Sequence, residues 1–114
     1  LFSLAARTAA NNSELQRNMD YRGVLVTIVA SAPVDTPSVT FTIQSYNRTA
    51  DAYSTILASA AITGAGTTQL KVFPGATAVA NATANDQVPI EWRVAVTVAD
   101  ADSLTYSVDY SPLF

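Results

Sequence analysis

Carboxylates are the side chains best able to do chemistry in this sequence, because two residue types that dominate catalysis and metal binding are missing. The 114 residues include no histidine and no cysteine. Without histidine the chain lacks the usual base of a nucleophilic triad, and without cysteine it has no thiolate nucleophile or soft metal ligand. The sequence has no Gly-x-Ser-x-Gly elbow, and Gly64-Ala65-Gly66 lacks the lysine of a phosphate-binding loop.

Two pairs of carboxylates remain to be weighed. Asp100 and Asp102 suggest a calcium site, but neither a glycine at the bend nor a later glutamate completes the ligand set. We expect a solvated turn there, in which the aspartate carboxylates accept hydrogen bonds from backbone amides. Asp86 and Glu91 could in principle serve as the two carboxylates of a glycosidase. Glu91, however, starts a strand, where an outward and exposed side chain is expected. The sequence therefore predicts a protein that is not an enzyme, with no catalytic residues, no metal and no cofactor.

Five aromatic residues could form a flat platform for stacking sugars: Tyr21, Tyr46, Tyr53, Trp92 and Tyr110. Trp92 begins an alternating apolar run, which favours a place in the core. Tyr46 and Tyr53 flank the polar loop 47–51, where packing of the two rings across a hairpin is the simpler expectation. A sugar site would instead leave both rings exposed and coplanar.

The elements that position these residues are strands, because apolar side chains recur with a period of two. Strong runs cover 24–29, 39–44, 92–99 and 104–110, with weaker ones at 52–60 and 67–73 and a short edge strand at 2–8. Run 24–29 is almost continuously apolar, which is typical of a central strand covered on both faces. The pattern predicts an all-β fold, an antiparallel β-sandwich or jelly-roll-like barrel of six to eight short strands. Its predicted core consists of Val24, Val26, Ile28, Phe41, Ile43, Trp92, Val94, Val96, Tyr106 and Val108.

Two segments depart from the strand pattern. Residues 11–21 are polar and suit either an irregular edge strand or one helical turn capped by Ser13. Residues 74–89 are dominated by small side chains and predict a long crossover between the sheets, with a helical turn at 76–82. We expect residues 1–20 to form an N-terminal arm or edge strand, and residues 21–114 to form a single β-sandwich domain.

Charge argues against two classes of partner. The formal net charge is −3 and only 13% of residues are charged. Binding to nucleic acid needs a concentrated set of basic side chains, whereas the six here are scattered along the chain. The longest apolar stretch is strand-sized, far below the roughly 20 residues of a membrane helix. We therefore expect neither nucleic acid nor membrane as a partner.

The chain resembles a recurrent pattern among small structural proteins of tailed-bacteriophage virions. The resemblance covers most of the chain and rests on strand and turn signatures rather than catalytic motifs. The matching runs are AARTA (5–9), YRGVLV (21–26), TPSVTFTIQ (36–44), ASAAIT (58–63), GTT (66–68), VFPG (72–75), PIEWRV (89–94) and ADADSLTYSV (99–108).

The resemblance implies a decoration protein that binds the outside of the mature phage head and stabilises it. Its partners would be the major capsid protein and neighbouring copies of itself, with a trimer as one arrangement. The N-terminal segment and the 74–89 loop are then the predicted contacts, through Leu1, Phe2, Leu4, Arg7, Thr77, Val79, Asn81 and Asn85. The alternative is a tail, fibre or baseplate module that binds host-surface glycan, which predicts an exposed aromatic cluster around Tyr46, Tyr53 or Trp92. A secreted bacterial adhesion domain is a third reading, which the sandwich alone supports.

Overall fold

The computed structural model describes residues 2–18, 20–99 and 102–114. These residues form two packed β-sheets and no helix, so the predicted all-β sandwich is confirmed. Since the described ranges hold no helix, none there is long and apolar enough to cross a membrane. The strands are β1 (Phe2–Arg7), β2 (Asn11–Asn12), β3 (Gln16–Arg17), β4 (Gly23–Ser31), β5 (Val39–Asn47), β6 (Ala52–Ala58), β7 (Gly66–Val72), β8 (Thr83–Ala84), β9 (Glu91–Val98) and β10 (Leu104–Leu113).

Seven of the ten strands have six or more residues, while β2, β3 and β8 have two each. Sheet 1 has the order β1-β10-β4-β7-β8, and sheet 2 has the order β2-β9-β5-β6, with β3 also pairing with β9. All pairs are antiparallel except β7 with β8. The long strands are those that the alternating runs predict, because period two matches the pleat of a half-buried strand.

The core lies between the two sheets. Each of the ten residues assigned to it from the sequence is at most 1% exposed. Phe41 and Tyr106 meet edge to face with ring centroids 5.0 Å apart, and Trp92 meets Tyr110 in the same way at 5.2 Å. Trp92 Nε1 donates to the Tyr21 hydroxyl at 2.9 Å, so the one polar atom of the indole is satisfied inside the core.

Strand β4 corrects one expectation. It occupies the centre of sheet 1, but it is not covered on both faces. Its inward side chains are buried, whereas Leu25 and Thr27 on the outer side are partly open and Val29 is 42% exposed. The described chain supplies no third layer to cover that outer side.

Residues 11–17 follow the strand alternative and not the helical turn. The Ser13 hydroxyl accepts from the Val94 amide at 2.9 Å, and the Ser13 amide donates to the Val94 carbonyl at 2.8 Å. Ser13 therefore extends the pairing between strands β2 and β3 and β9 instead of capping a helix.

The crossover between β7 and β9 runs from sheet 1 to sheet 2, but the predicted helical turn at 76–82 is wrong. Val79 instead bridges to Thr83, and Asn81 at the bend has a φ of 60°. That left-handed conformation cannot continue a right-handed helix, and asparagine is among the few residues that adopt it readily. The segment therefore turns back as a tight loop before the short strand β8.

Candidate contact surfaces

The N-terminal strand β1 lies at one edge of sheet 1, and among the described strands it pairs only with β10. Phe2 packs its ring edge to face against Tyr106 at 6.1 Å. Leu4 is 64% exposed. Leu1 lies outside the described residues. Strand β1 is therefore anchored to the core by the Phe2 ring, while Leu4 in its middle is exposed.

Arg7 holds this strand against the sheet. Its guanidinium donates to the carbonyls of Tyr106 at 2.8 Å, Ser3 at 2.7 Å and Ala5 at 3.2 Å. It also lies over the Tyr106 ring, 4.6 Å from the centroid. The pairing of β1 with β10 shifts register between Phe2 and Ala5, and the arginine bonds supplement the ladder at this irregularity. Arg7 is therefore turned inward on its own strand and is not a free basic contact.

The second predicted contact, the 74–89 loop, has one large apolar side chain that is exposed. Val79 is 52% exposed and Thr77 is exposed beside it. The two asparagine amides are engaged within the chain. Asn81 Nδ2 donates to the Ala58 carbonyl at 3.1 Å, and Asn85 Oδ1 accepts from the Gly75 amide at 2.7 Å. These asparagines shape the loop, and Val79 is its large apolar side chain open to solvent.

The structure does not bring the two predicted contacts together. Strand β1 ends sheet 1 on one side, while β8, which lies within the 74–89 loop, ends it on the other. Four strand spacings separate them, about 19 Å. A single flat partner at one edge of sheet 1 would reach only one of the two, so they lie in separate regions of the surface.

The outer face of sheet 2 carries an aromatic cluster of Tyr46, Tyr53 and Arg93. The tyrosine centroids are 5.0 Å apart, and the Arg93 guanidinium carbon lies 3.4 Å from the Tyr53 centroid. Arg93 Nε also donates to Gln44 Oε1 at 2.9 Å. The rings are tilted by 41°, and arginine occupies one face of Tyr53, so they do not form the coplanar platform that a stacked sugar needs.

Tyr46 is fixed at the loop end of this cluster. Its hydroxyl donates to Asp51 Oδ1 at 2.7 Å, and this hydrogen bond to the carboxylate raises the pKa of Tyr46 above its usual value of 10.0. Two loop amides, those of Thr49 and Ala50, donate to Asn47 Oδ1. The loop 48–51 is therefore organised by its own side chains.

A groove of about 720 Å³ lies next to Tyr46 at the same end of the sandwich. Glu91 forms an ion pair with Arg48 there, and Arg17 stands opposite Glu91 on the neighbouring strand. The hydrogen bond and charge of Glu91 raise the pKa of the Arg48 guanidinium, which stays protonated. Ile90, which is 64% exposed, separates this groove from a second one of about 520 Å³ beside Tyr21 and Arg22.

The carboxylate pairs weighed as possible catalytic or calcium sites have local partners. Asp86 accepts from the Gln87 amide at 2.8 Å and does not line the groove that holds Glu91. Asp102 accepts from the Thr36 amide at 3.2 Å, tying two loops together, and Asp100 lies outside the described residues. Within the described ranges no three acidic side chains gather as metal ligands.

Sequence reasoning missed two features of this surface. It did not foresee that Arg7 would fold back on its own strand, or that Arg48 would pair with Glu91. Both contacts depend on backbone irregularities, a register shift and a loop, which leave no periodic signal in the sequence.

No protein-family model, curated protein or solved structure matches this chain.

Proposed function

We propose that this chain is a structural protein of a tailed-bacteriophage virion that binds the outside of the mature head and stabilises it. Strand β1 carries the proposal. It is an edge strand with a described partner on one side only, and its exposed side chains, those of Ser3, Leu4, Ala5 and Ala6, are uncharged. Such an edge is suited to pair with a strand of another protein.

The chemistry of β1 supports strand addition by the major capsid protein. Backbone amide and carbonyl groups along an edge supply affinity that does not depend on sequence, and an exposed side chain such as Leu4 supplies specificity by entering a pocket. The carbonyls of Ser3 and Ala5 already accept from Arg7, so an incoming strand would pair with the remaining backbone groups of β1. Lysine or proline usually protects such an edge, and β1 has neither. Its one charge, on Arg7, is turned onto Tyr106 and backbone carbonyls, where it does not repel an incoming strand.

Val79 is the second contact in this proposal. It lies at the opposite edge of sheet 1 from β1 and is exposed. Contacts at both edges would let one copy bridge two neighbouring capsid subunits, which is how a coat protein resists expansion of a shell. The function proposed is therefore binding without catalysis, located on the exterior of the phage head.

The abundance of this chain relative to the major capsid protein in purified particles tests the proposal. We expect copies in the hundreds, release from isolated heads by chaotrope, and lower heat resistance of particles that lack the protein. Recovery of the chain only in purified tails, at a few copies each, would overturn the assignment to the head.

A point substitution tests the role of β1. Leu4→Asp should abolish binding to heads that lack the protein, because a charge would have to be buried against the partner. Val34→Asp is the matched control, since Val34 is 54% exposed and lies in the loop between β4 and β5. Equal head occupancy by the two variants would refute β1 as the contact.

A second candidate is a glycan-binding module of a tail, fibre or baseplate, for which the groove beside Tyr46 would be the site, since the tilted rings form no stacking platform. Tyr53 is 37% exposed, and Tyr46 lines a groove that also contains Asn47, Arg48 and Glu91. Aromatic surface next to amide and charged groups is a common way to hold a sugar. Saccharide titration followed by NMR tests it. Binding that is lost in Tyr53→Ala would support the module, and the absence of any shift at Tyr53 or Tyr46 would exclude this site.

A further inference from the structure

The outer face of sheet 1 has an apolar centre on β4. Leu25, Thr27 and Val29 point away from the core, and Val29 is 42% exposed. The nearly unbroken apolar run of this strand is typical of strands buried on both faces. In the described chain only the inner face is covered.

The strands on either side extend this face with uncharged hydroxyl and amide groups. Antiparallel pairing places β7 and β10 directly beside β4, with their own outward residues level with Leu25, Thr27 and Val29. Among those described side chains only Lys71 and Asp109 are charged. The outward residues are Thr67, Gln69 and Lys71 on β7, and Thr105, Ser107, Asp109 and Ser111 on β10. Covering such a face takes water from few charges, while its hydroxyl and amide groups must find hydrogen-bond partners in the interface.

The two charges occupy opposite sides of the face. Lys71 pairs with Leu25 on the β7 side, and Asp109 pairs with Thr27 on the β10 side. They are one outward position apart along the strands, about 7 Å. A twofold axis parallel to β4 exchanges the β7 and β10 sides between two copies. Lys71 of one copy then lies over the β10 side of the other, within reach of its Asp109. A twofold axis across the strands would instead place the β7 sides of the two copies together and the β10 sides together, which brings like charges near each other.

We propose that this face, the outer side of β7, β4 and β10, binds a second copy of the same chain face to face, about a twofold axis parallel to β4. Two symmetric ion pairs between Lys71 and Asp109 of opposite copies set the register. On the axis, Leu25 and Val29 meet their own counterparts and lose their exposure to water. Two sheets packed in this way lie about 10 Å apart, with strand directions within about 30°.

The size of the face fits a modest affinity. Seven residues of β4 (about 24 Å) and the three strands of the face (about 14 Å) give roughly 350 Å² from each copy, or about 700 Å² in all. That is below the roughly 1,200 Å² at which standard interfaces begin, so we expect a weak dimer with a dissociation constant of tens to hundreds of micromolar. The dimer is measured on purified protein, so its failure and that of the proposed virion function are distinguishable.

Charge exchange tests the register. Sedimentation equilibrium of the purified wild-type chain should show a monomer–dimer equilibrium. Lys71→Glu and Asp109→Lys should each weaken dimerisation at least about tenfold, because each places like charges together at two symmetric positions. The double variant Lys71→Glu/Asp109→Lys should regain dimerisation within about threefold of the wild type, since the opposite charges face each other again.

Asp86→Lys is the matched control. Asp86 accepts a hydrogen bond from the next residue's amide at 2.8 Å, as Asp109 does, but it lies outside sheet 1. Asp86→Lys changes the net charge by the same amount as Asp109→Lys and should leave dimerisation unchanged. If Asp86→Lys dimerised as weakly as Asp109→Lys, net charge and not pairing across this face would govern association.

Crosslinking tests the axis independently, because the chain has no cysteine. Ser31→Cys places a thiol on the outer side of β4, near the axis and away from Val29. A short bismaleimide should join two such copies, whereas Thr97→Cys on the outer face of sheet 2 should not crosslink. A wild-type chain that stays monomeric up to about 1 mM would overturn the proposal. Open-ended oligomers, a double variant that is not restored, or crosslinking through Thr97→Cys would do the same and would assign association to another surface.

Discussion

Two aromatic clusters lie on opposite faces of strand β9, and they show how one strand serves stability and surface chemistry at once. Trp92 points inward, where its ring meets Tyr110 at 86° and its Nε1 donates to Tyr21. The next residue, Arg93, points outward and stacks on Tyr53. The alternation of the strand therefore separates a buried cluster from an exposed one by a single residue.

The clusters differ in what holds them. The inner one, Trp92 with Tyr21 and Tyr110, excludes water, so its apolar area and its one hydrogen bond both stabilise the fold. The outer one, Tyr53 with Tyr46 and Arg93, is open to solvent, where water competes for every contact. Aromatic residues of the same types are thus expected to contribute very differently to the free energy of unfolding.

The largest expected effect is that of Trp92→Ala. Removing the ring leaves a cavity between the sheets and takes away the donor to Tyr21. We expect the free energy of unfolding to fall by about 3–5 kcal/mol, measured by chemical denaturation. Val34→Ala, which truncates an exposed loop side chain, serves as the control and should cost less than about 0.5 kcal/mol. Similar values for the two variants would contradict burial of the indole.

Tyr21→Phe isolates the hydrogen bond within the inner cluster. The ring stays, but the buried Trp92 Nε1 loses its acceptor and cannot reach water. Leaving such a donor unsatisfied costs about 1–3 kcal/mol, which the same denaturation measurement detects. A variant as stable as the wild type would mean that another group accepts from Trp92.

The loss of stability at alkaline pH should also differ between the buried tyrosines and the exposed Tyr46. Burial raises the pKa of Tyr21, and also that of Tyr106, above the value of 10.0 expected in the unfolded chain. The unfolded state then loses its protons first as pH rises past 10, so stability is full below that pH and declines above it. We expect Tyr21→Phe to flatten this decline in thermal melts. Tyr46→Phe should flatten it less, since its raised pKa depends on an exposed hydrogen bond that water screens.

Tyr53→Ala probes the outer cluster. It removes the surface on which Arg93 stacks and one partner of Tyr46. An exposed contact of this kind is worth about 0.5–1 kcal/mol, so the loss of stability should be small. A loss above about 2 kcal/mol would show that the cluster is part of the structural core.

Tyr106→Phe should have the smallest effect on stability. The Tyr106 hydroxyl is buried and finds no hydrogen-bond partner among the described residues. Removing a buried polar group that is unsatisfied is neutral or stabilising, so we expect a change from none to about 1 kcal/mol of added stability. Destabilisation comparable to that of Tyr21→Phe would indicate a bound water or another partner at this hydroxyl.

The alternating runs predicted the long strands and the inward residues because the period of two is a local property of an extended chain. They could not show the partner of each strand. That β4 lies between β10 and β7, and that β1 and β8 end sheet 1 on opposite sides, depends on contacts between residues far apart in sequence. The two predicted contact regions were therefore found along the chain but not placed relative to each other.

Local exceptions were harder to predict. The small side chains of 76–82 suggested a helical turn, but Asn81 adopts a left-handed conformation and Val79 bridges to Thr83. The apolar run of β4 suggested a strand covered on both faces, yet Val29 is open in the single chain. In the first case a backbone conformation overrode composition. In the second, the described chain supplies no layer over the outer side of the strand.

The sequence by itself determined the all-β class, the buried residues of β4, β5, β9 and β10 and the lack of histidine and cysteine chemistry, because these depend on residue types and on the pleat of the backbone. Only the tertiary structure decided that Arg7 donates to the Tyr106 carbonyl of β10, that Arg93 stacks on Tyr53, and that Lys71 and Asp109 flank an open apolar strand. Those relationships join residues up to 99 positions apart. Their physical reason is the register between strands, which sequence periodicity leaves free and long-range packing selects.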